Sequence, residues 1–307
     1  MQGGLRRNID FLCDVPDYIS VGRNQMICVL KYFRVAGVFI LLISSGRFTW
    51  AGDRVPIPED LLLDEHVREE FGINDVTAPS IERIFADLDS LGDLPYEELS
   101  RKLPENAPKE RAVTALSLGT LIADGLLTVQ SEKRGDLKPI GEALKVHAEA
   151  LGADKRVNRH TKSLVEHSLA GEWTKLKKEL AATQSDVEAE MVLLRDVQMA
   201  NLISLGGWLR AFQIACGALE KEFDTDKAEK VVRIDVIDYY NAEMETLEVD
   251  KLSRAKIDLL ATDLKTLRSM MDPKADGKYT SAQLKELSRF LCSTLGNILL
   301  RDTESSR

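Results

Sequence analysis

Apolar residues recur at alternating spacings of three and four through much of the second half of the chain. Leu205, Leu209, Phe212, Cys216 and Leu219 form one series. Ile257, Leu260, Leu264, Leu267 and Met271 form a second, and Leu284, Leu287, Leu291, Leu295 and Ile298 a third. At 3.6 residues per turn, such spacing places each series on one helix face. Val236, Tyr240, Met244 and Leu247 extend the pattern to another segment. Every stripe needs a helix to cover it, which predicts an all-α multi-helix bundle of long antiparallel amphipathic helices joined by short polar turns.

Ahead of this bundle the pattern is shorter and more broken. Pro58, Pro79 and Pro95 punctuate the stretch from Ile57 to about Leu103, and Pro104 follows it, at intervals suited to helix first turns or connections. A helix opening at Thr77-Ala78-Pro79-Ser80-Ile81-Glu82 would carry Ile81, Ile84, Phe85 and Leu88 on one face and end at Ser90-Leu91-Gly92. A longer helix is expected from Pro108 to about Leu127, then a turn at Arg134-Gly135-Asp136 and a helix over 138–151. Only Leu126-Leu127-Thr128-Val129 suits a strand as well as a helix. Beyond Leu151 proline vanishes until Pro273. That shift divides the sequence into a leader (1–51), a smaller module of short helices (52–155) and a long-helix bundle (156–307).

The leader has the parts of an export signal. Lys31 and Arg34 precede an apolar run, Val35 to Ile43, and Thr49-Trp50-Ala51 offers small residues at alternate positions. The expected product starts at Met26, is cleaved after Ala51 and is exported to a periplasm or the extracellular space. Cleavage would remove six basic and three acidic residues from totals of 41 and 50, leaving a net charge of −12. Such a chain repels phosphate backbones and anionic lipid surfaces, so neither nucleic acid nor, after cleavage, a membrane is an expected partner. Cys13 and Cys28 would leave with the leader. Cys216 and Cys292 would remain, either bridged across adjacent helices or present as small buried apolar side chains.

Signatures of chemistry are scarce. The histidines are His66, His147, His160 and His167; the last two share a helix face, with Glu166 beside them. No His-Glu-x-x-His occurs, and the positions three before each histidine are Leu63, Leu144, Val157 and Leu164, where a di-iron bundle would need Glu. Asp272 to Gln283 partly matches a calcium loop of the EF-hand kind, with Asp272, Asp276 and Gly277 in place. Lys274 stands at the third position and Gln283 at the twelfth, where a bidentate carboxylate belongs. A stop at Pro273, a turn at Gly277 and a Thr280-x-x-Gln283 capping box explain the same residues. Gly-x-Ser-x-Gly and phosphate-cradling glycine loops are absent. The reading is a protein without enzymatic activity, resident metal or cofactor.

One feature resists a purely amphipathic account. Ser-Leu-Gly occurs inside apolar helices at Ser117-Leu118-Gly119 and again at Ser204-Leu205-Gly206-Gly207. Helical glycine costs about 1 kcal/mol against alanine, so close helix crossing should offset it. Asp124 follows the first repeat, while Asn201, Trp208, Arg210 and Gln213 surround the second. Polar groups in such apolar company are either paired, Asp124 with Arg210 across a Gly-to-Gly contact, or placed for a ligand. The functional expectation is therefore an exported helical binding or scaffold protein. Its partner would be a protein or a small apolar ligand, met at the seam of Asp124, Asn201, Ser204, Trp208, Arg210 and Gln213. The alternatives are homo-oligomeric assembly through the C-terminal stripes, as in a self-assembling envelope protein, or an enzyme or metal-binding protein using Asp124, Arg210 and histidines.

Overall fold

Every residue from Ala112 to Val129 is buried, and the helix that carries them sits at the centre of the bundle. The computed structural model describes residues 86–194, 196–273 and 277–300, all within one compact unit, Arg54–Arg307. The leader, its cleavage site and the helix start near Thr77 lie outside the described residues.

In chain order the helices are α1 (Tyr96–Leu99), α2 (Arg111–Gln130), α3 (Arg134–Leu151), α4 (Asp154–Ala170), α5 (Trp173–Leu193), α6 (Val197–Lys221), α7 (Thr225–Val231), α8 (Ile234–Thr246), α9 (Lys251–Met270) and α10 (Ser281–Leu300). Among the described residues there is no strand, so the architecture is an all-α bundle. The run Leu126 to Val129 is the buried last turn of α2. Its ambiguity in the sequence has a physical cause: a helix covered on every side has no polar face to mark its period.

Helix ends follow local chemistry. Asp250 Oδ1 accepts from the Leu252 and Ser253 amides to cap α9, and Asp224 accepts from the Lys227 amide to cap α7. Gly152 and Gly171 take the left-handed conformation after α3 and α4, each closing a Schellman pair of backbone bonds. The helix ending at Asp89 is closed by Ser90, Leu91 and Gly92 as expected, with Gly92 at φ +88°. One boundary moves. α3 begins at Arg134, so Gly135 and Asp136 lie in its first turn; the turn before it is Ser131 to Lys133, with Glu132 at positive φ.

Helices adjacent in sequence run antiparallel. Ser117 meets His147 while Gly125 approaches Ile140, and Thr294 bonds Asp263 while Gln283 bonds Met270. The central pair runs the other way. Arg111 binds Asp196, Gly119 faces Ile203 and Gly207, and Asp124 binds Arg210, so α2 and α6 advance in the same sense. With three helices between them the chain reverses four times, and this returns α6 to the orientation of α2. The composition shift near residue 155 is thus no gap in the core, because α2 from one side packs along α6 from the other.

The three predicted stripes are all buried within the chain, where α10 packs against both α6 and α9, and α2 covers much of the rest of α6. Both α2 and α6 are long and apolar enough to cross a bilayer by composition; the apolar window of α2 lies wholly inside the bundle and that of α6 mostly so.

At their crossing, α2 and α6 touch backbone to backbone. A Cβ placed on Gly119 would stand 2.6 Å from Gly207 N and closer still to Ile203 O, and one on Gly206 would stand 2.9 Å from the Leu116 carbonyl carbon. No side-chain rotation relieves such a clash, which accounts for the repeated Ser-Leu-Gly. Gly119→Ala and Gly206→Ala are each expected to lower unfolding stability by about 2 kcal/mol or more through overpacking. Gly141→Ala, with open space at its Cβ, should raise it by about 0.5–1 kcal/mol from helix propensity. Urea unfolding of the three variants checks this; similar midpoints would show that the crossing does not require glycine.

Candidate functional site

Below the crossing, Asp124 points away from α2 and is gripped by two guanidinium groups. Arg210 Nε donates to Oδ1 at 2.7 Å, while Arg101 donates to Oδ2 from Nε at 2.9 Å and pairs with it through Nη2 at 2.8 Å. Arg210 is 1% exposed, Asp124 6% and Arg101 26% as side chains, so the charge pair is dry on one side and meets solvent on the other. The other two nitrogens of Arg210 are engaged as well: Nη1 donates to Gln213 Oε1 at 2.7 Å and Nη2 to the Leu99 carbonyl at 2.5 Å. Arg101 Nη2 also donates to Thr120 Oγ1 at 2.7 Å. Two cations on one carboxylate leave a formal surplus of one positive charge.

The solvent side of this triad is a cleft between α1, α2 and α3 with a volume of about 460 Å³. Tyr96, Glu97, Ser100, Arg101, Asp124, Thr128 and Asp136 supply its polar lining, and Leu103, Leu127, Pro139 and Ile140 its apolar part. Tyr96 Oη donates to Asp136 Oδ2 at 2.8 Å and lies 3.5 Å from Thr128 Oγ1. Burial, reinforced by the Asp136 and Glu97 carboxylates and opposed by Thr128, raises the Tyr96 phenol above its ordinary value of 10.0. The phenol therefore serves as a neutral donor.

Sequence reasoning found Asp124, Arg210 and Gln213, and the structure joins them. Asn201 and Ser204 belong elsewhere. At 100° per residue, nine positions separate Asn201 from Arg210 by half a rotation of α6, so they face opposite sides. Asn201 Nδ2 donates to Glu243 at 2.6 Å and Ser204 Oγ to Glu188 at 2.8 Å. Trp208 and Phe212 stack at 5.5 Å within the core, and the hollow beside them holds about 30 Å³, the space of a water molecule and not of an apolar ligand. Arg101 and Tyr96 went unnoticed because they lie in the proline-broken segment, where no period marks a face. Thr120 and Thr128 do carry a signal in the sequence: with Asp124 they form an i, i+4, i+8 polar line on a mostly apolar helix.

Each histidine among the described residues has its own partners. His147 Nδ1 donates to the Ala143 carbonyl at 2.9 Å, which leaves Nε2 to accept from Ser117 at 3.0 Å. Both residues are buried and neither lines the cleft, so the pair ties α3 to α2. His160 faces Glu179 at 2.8 Å and Asp186 at 3.0 Å, and His167 faces Glu172 at 2.7 Å. Glu166 stands 3.7 Å from Lys162. Among the described residues no group of three or more His, Cys, Asp or Glu is arranged to hold a metal.

In the calcium-loop segment Asp276 lies outside the described residues. Asp272 accepts from Arg268 at 2.6 Å, and the Gln283 side chain donates to the Met270 and Asp272 carbonyls, tying the turn between α9 and α10. Thr280 Oγ1 accepts from the Gln283 amide, which is one half of the expected capping box; the other half is not made, because the Gln283 side chain is turned to the Met270 and Asp272 carbonyls. Cys216 is buried and Cys292 exposed, both as free thiols. No protein-family model, curated protein or solved structure matches the chain.

Asp124→Ala strands Arg210 in the core without a counter-ion and should cost about 3–5 kcal/mol of unfolding stability. Arg101→Ala, which leaves the Asp124–Arg210 bond intact, should cost clearly less. Equal losses in urea unfolding would contradict the burial difference.

For His147, burial lowers the imidazole below its ordinary 6.5, helped by Arg101 and opposed by the bond to Ala143. The unfolded chain therefore takes up that proton more readily. Its contribution is full above about pH 6.5 and is lost as pH falls toward the folded-state value, by up to about 1.4 kcal/mol per pH unit. His147→Gln should flatten the stability profile between about pH 7 and 5 relative to wild type. An unchanged slope would exclude this source.

Proposed function

We propose that this protein binds a small ligand bearing a polar or charged group in the cleft between α1, α2 and α3, and performs no chemistry on it. Residues 26–51 are the sole basis for the accompanying proposal that it acts after export. The observation that carries the binding reading is the triad at the cleft wall. Arg101 is fixed by a carboxylate that is itself locked to a buried arginine, which orients a partly exposed guanidinium before any ligand arrives. Pre-orientation of this kind reduces the entropy lost on binding. The cleft volume, about 460 Å³, falls within the roughly 300–1,000 Å³ usual for small-molecule sites. Coverage of the C-terminal stripes inside the chain favours binding over self-assembly, since those faces already have partners.

A thermal-shift screen of small polar metabolites against wild type and Arg101→Ala tests the reading. A compound present at about 100 times its Kd adds about 2.7 kcal/mol to stability, a readily measured rise in Tm. Hits that stabilise wild type and fail with Arg101→Ala are the expected result. A screen without hits, or hits indifferent to Arg101, would overturn it.

A further inference from the structure

The cleft is electrically divided along α2. At one end stands the Arg101–Asp124–Arg210 triad with its surplus positive charge, and among the described residues Arg101 Nη1 makes no hydrogen bond. At the other end Asp136 accepts from Tyr96 and, among the described residues, has no cation within ion-pairing distance. The neighbouring carboxylate differs: Glu97 is held at 2.7 Å by Lys133, whose ammonium lies 5.1 Å from the Tyr96 ring centroid and is engaged there. Asp124 anchors the first end and Thr128, 3.5 Å from Tyr96 Oη, marks the second. Four residues of helix separate these two anchors, a rise of about 6 Å. Leu127 and Ile140 contribute apolar wall to the same space.

An inorganic dianion suits this arrangement poorly, because the triad offers a surplus of only one positive charge, Lys133 is engaged with Glu97 and, among the described residues, Asp136 stands uncompensated at the far end. A simple cation would meet the triad. A molecule with both charges satisfies both ends, each charge gaining a charge-assisted hydrogen bond. Resting on the reading of this cleft as a ligand site, we propose that it takes a small zwitterion of the amino-acid class, its carboxylate on Arg101 and its ammonium on Asp136. The carbons between them lie against Leu127 and Ile140. Tyr96 holds Asp136 in place and is a positioning residue.

Isothermal titration of the full chain tests this with glycine, β-alanine, γ-aminobutyrate, ε-aminocaproate and the larger α-amino acids as probes. Each is compared with its deaminated acid and its decarboxylated amine. One zwitterion should bind at least about tenfold more tightly than either half, the worth of one charge-assisted hydrogen bond. Asp136→Asn, which keeps an acceptor for Tyr96, should weaken the zwitterion by about tenfold and leave the acid half unchanged. If an acid half binds as tightly as its zwitterion, in a manner sensitive to Arg101→Ala alone, the zwitterion assignment fails and the ligand cleft stands. If no probe binds in a manner sensitive to either variant, while circular dichroism shows both variants folded, the assignment fails, and the cleft reading is then decided by the wider metabolite screen.

Discussion

Backbone contact between α2 and α6 is the constraint on which the rest of the structure depends. Helices usually keep 8–10 Å between axes because side chains intervene. Here Gly119, Gly206 and Gly207 remove the side chains, and the carbonyls of Leu116 and Ile203 fill the space. That approach fixes the register of the two most apolar helices. It also sets Asp124 opposite Arg210 about one turn further along, deep enough that removing the carboxylate would leave a costly unpaired charge on Arg210. The carboxylate then orders the outer arginine, and the outer arginine shapes the cleft. A packing requirement in the core is thus transmitted through one ion pair to the wall of the cleft.

The legibility of this arrangement in the sequence follows the physics of each part. Stripes such as Leu284 to Ile298 are readable because burial on one face only imposes a period. Paired glycines inside apolar helices are readable because their intrinsic cost demands compensation, and the Asp124–Arg210 pair because two isolated charges in apolar runs must find each other. What periodicity does not encode is the arrangement of elements around one another. The parallel sense of α2 and α6 arises from counting reversals, and the cleft arises from a four-residue helix in a segment with no pattern. Arg101 and Tyr96 are ordinary surface residues on paper; only their placement across from Asp124 and Thr128 makes them lining residues.

The faces of α6 illustrate the limit most clearly. Within one apolar run, Asn201, Ser204, Arg210 and Gln213 look like a single polar group. Rotation along the helix distributes them to two sites, Asn201 and Ser204 toward α8 and α5 and Arg210 and Gln213 toward the triad. Proximity in sequence is a weak guide on a helix, whereas angular position decides which neighbours a side chain can reach. A helix buried on nearly all sides can therefore serve two polar clusters without either sensing the other.

Arg210 holds a carboxylate of α2, an amide of its own helix and the last carbonyl of α1 with a single planar group. The short wall of the cleft is consequently riveted to the innermost layer of the molecule. Displacing that wall would break the bond from Nη2 to the Leu99 carbonyl and leave a buried guanidinium donor unpaired, so side chains facing the cavity can change with less disturbance to the fold than the backbone behind them.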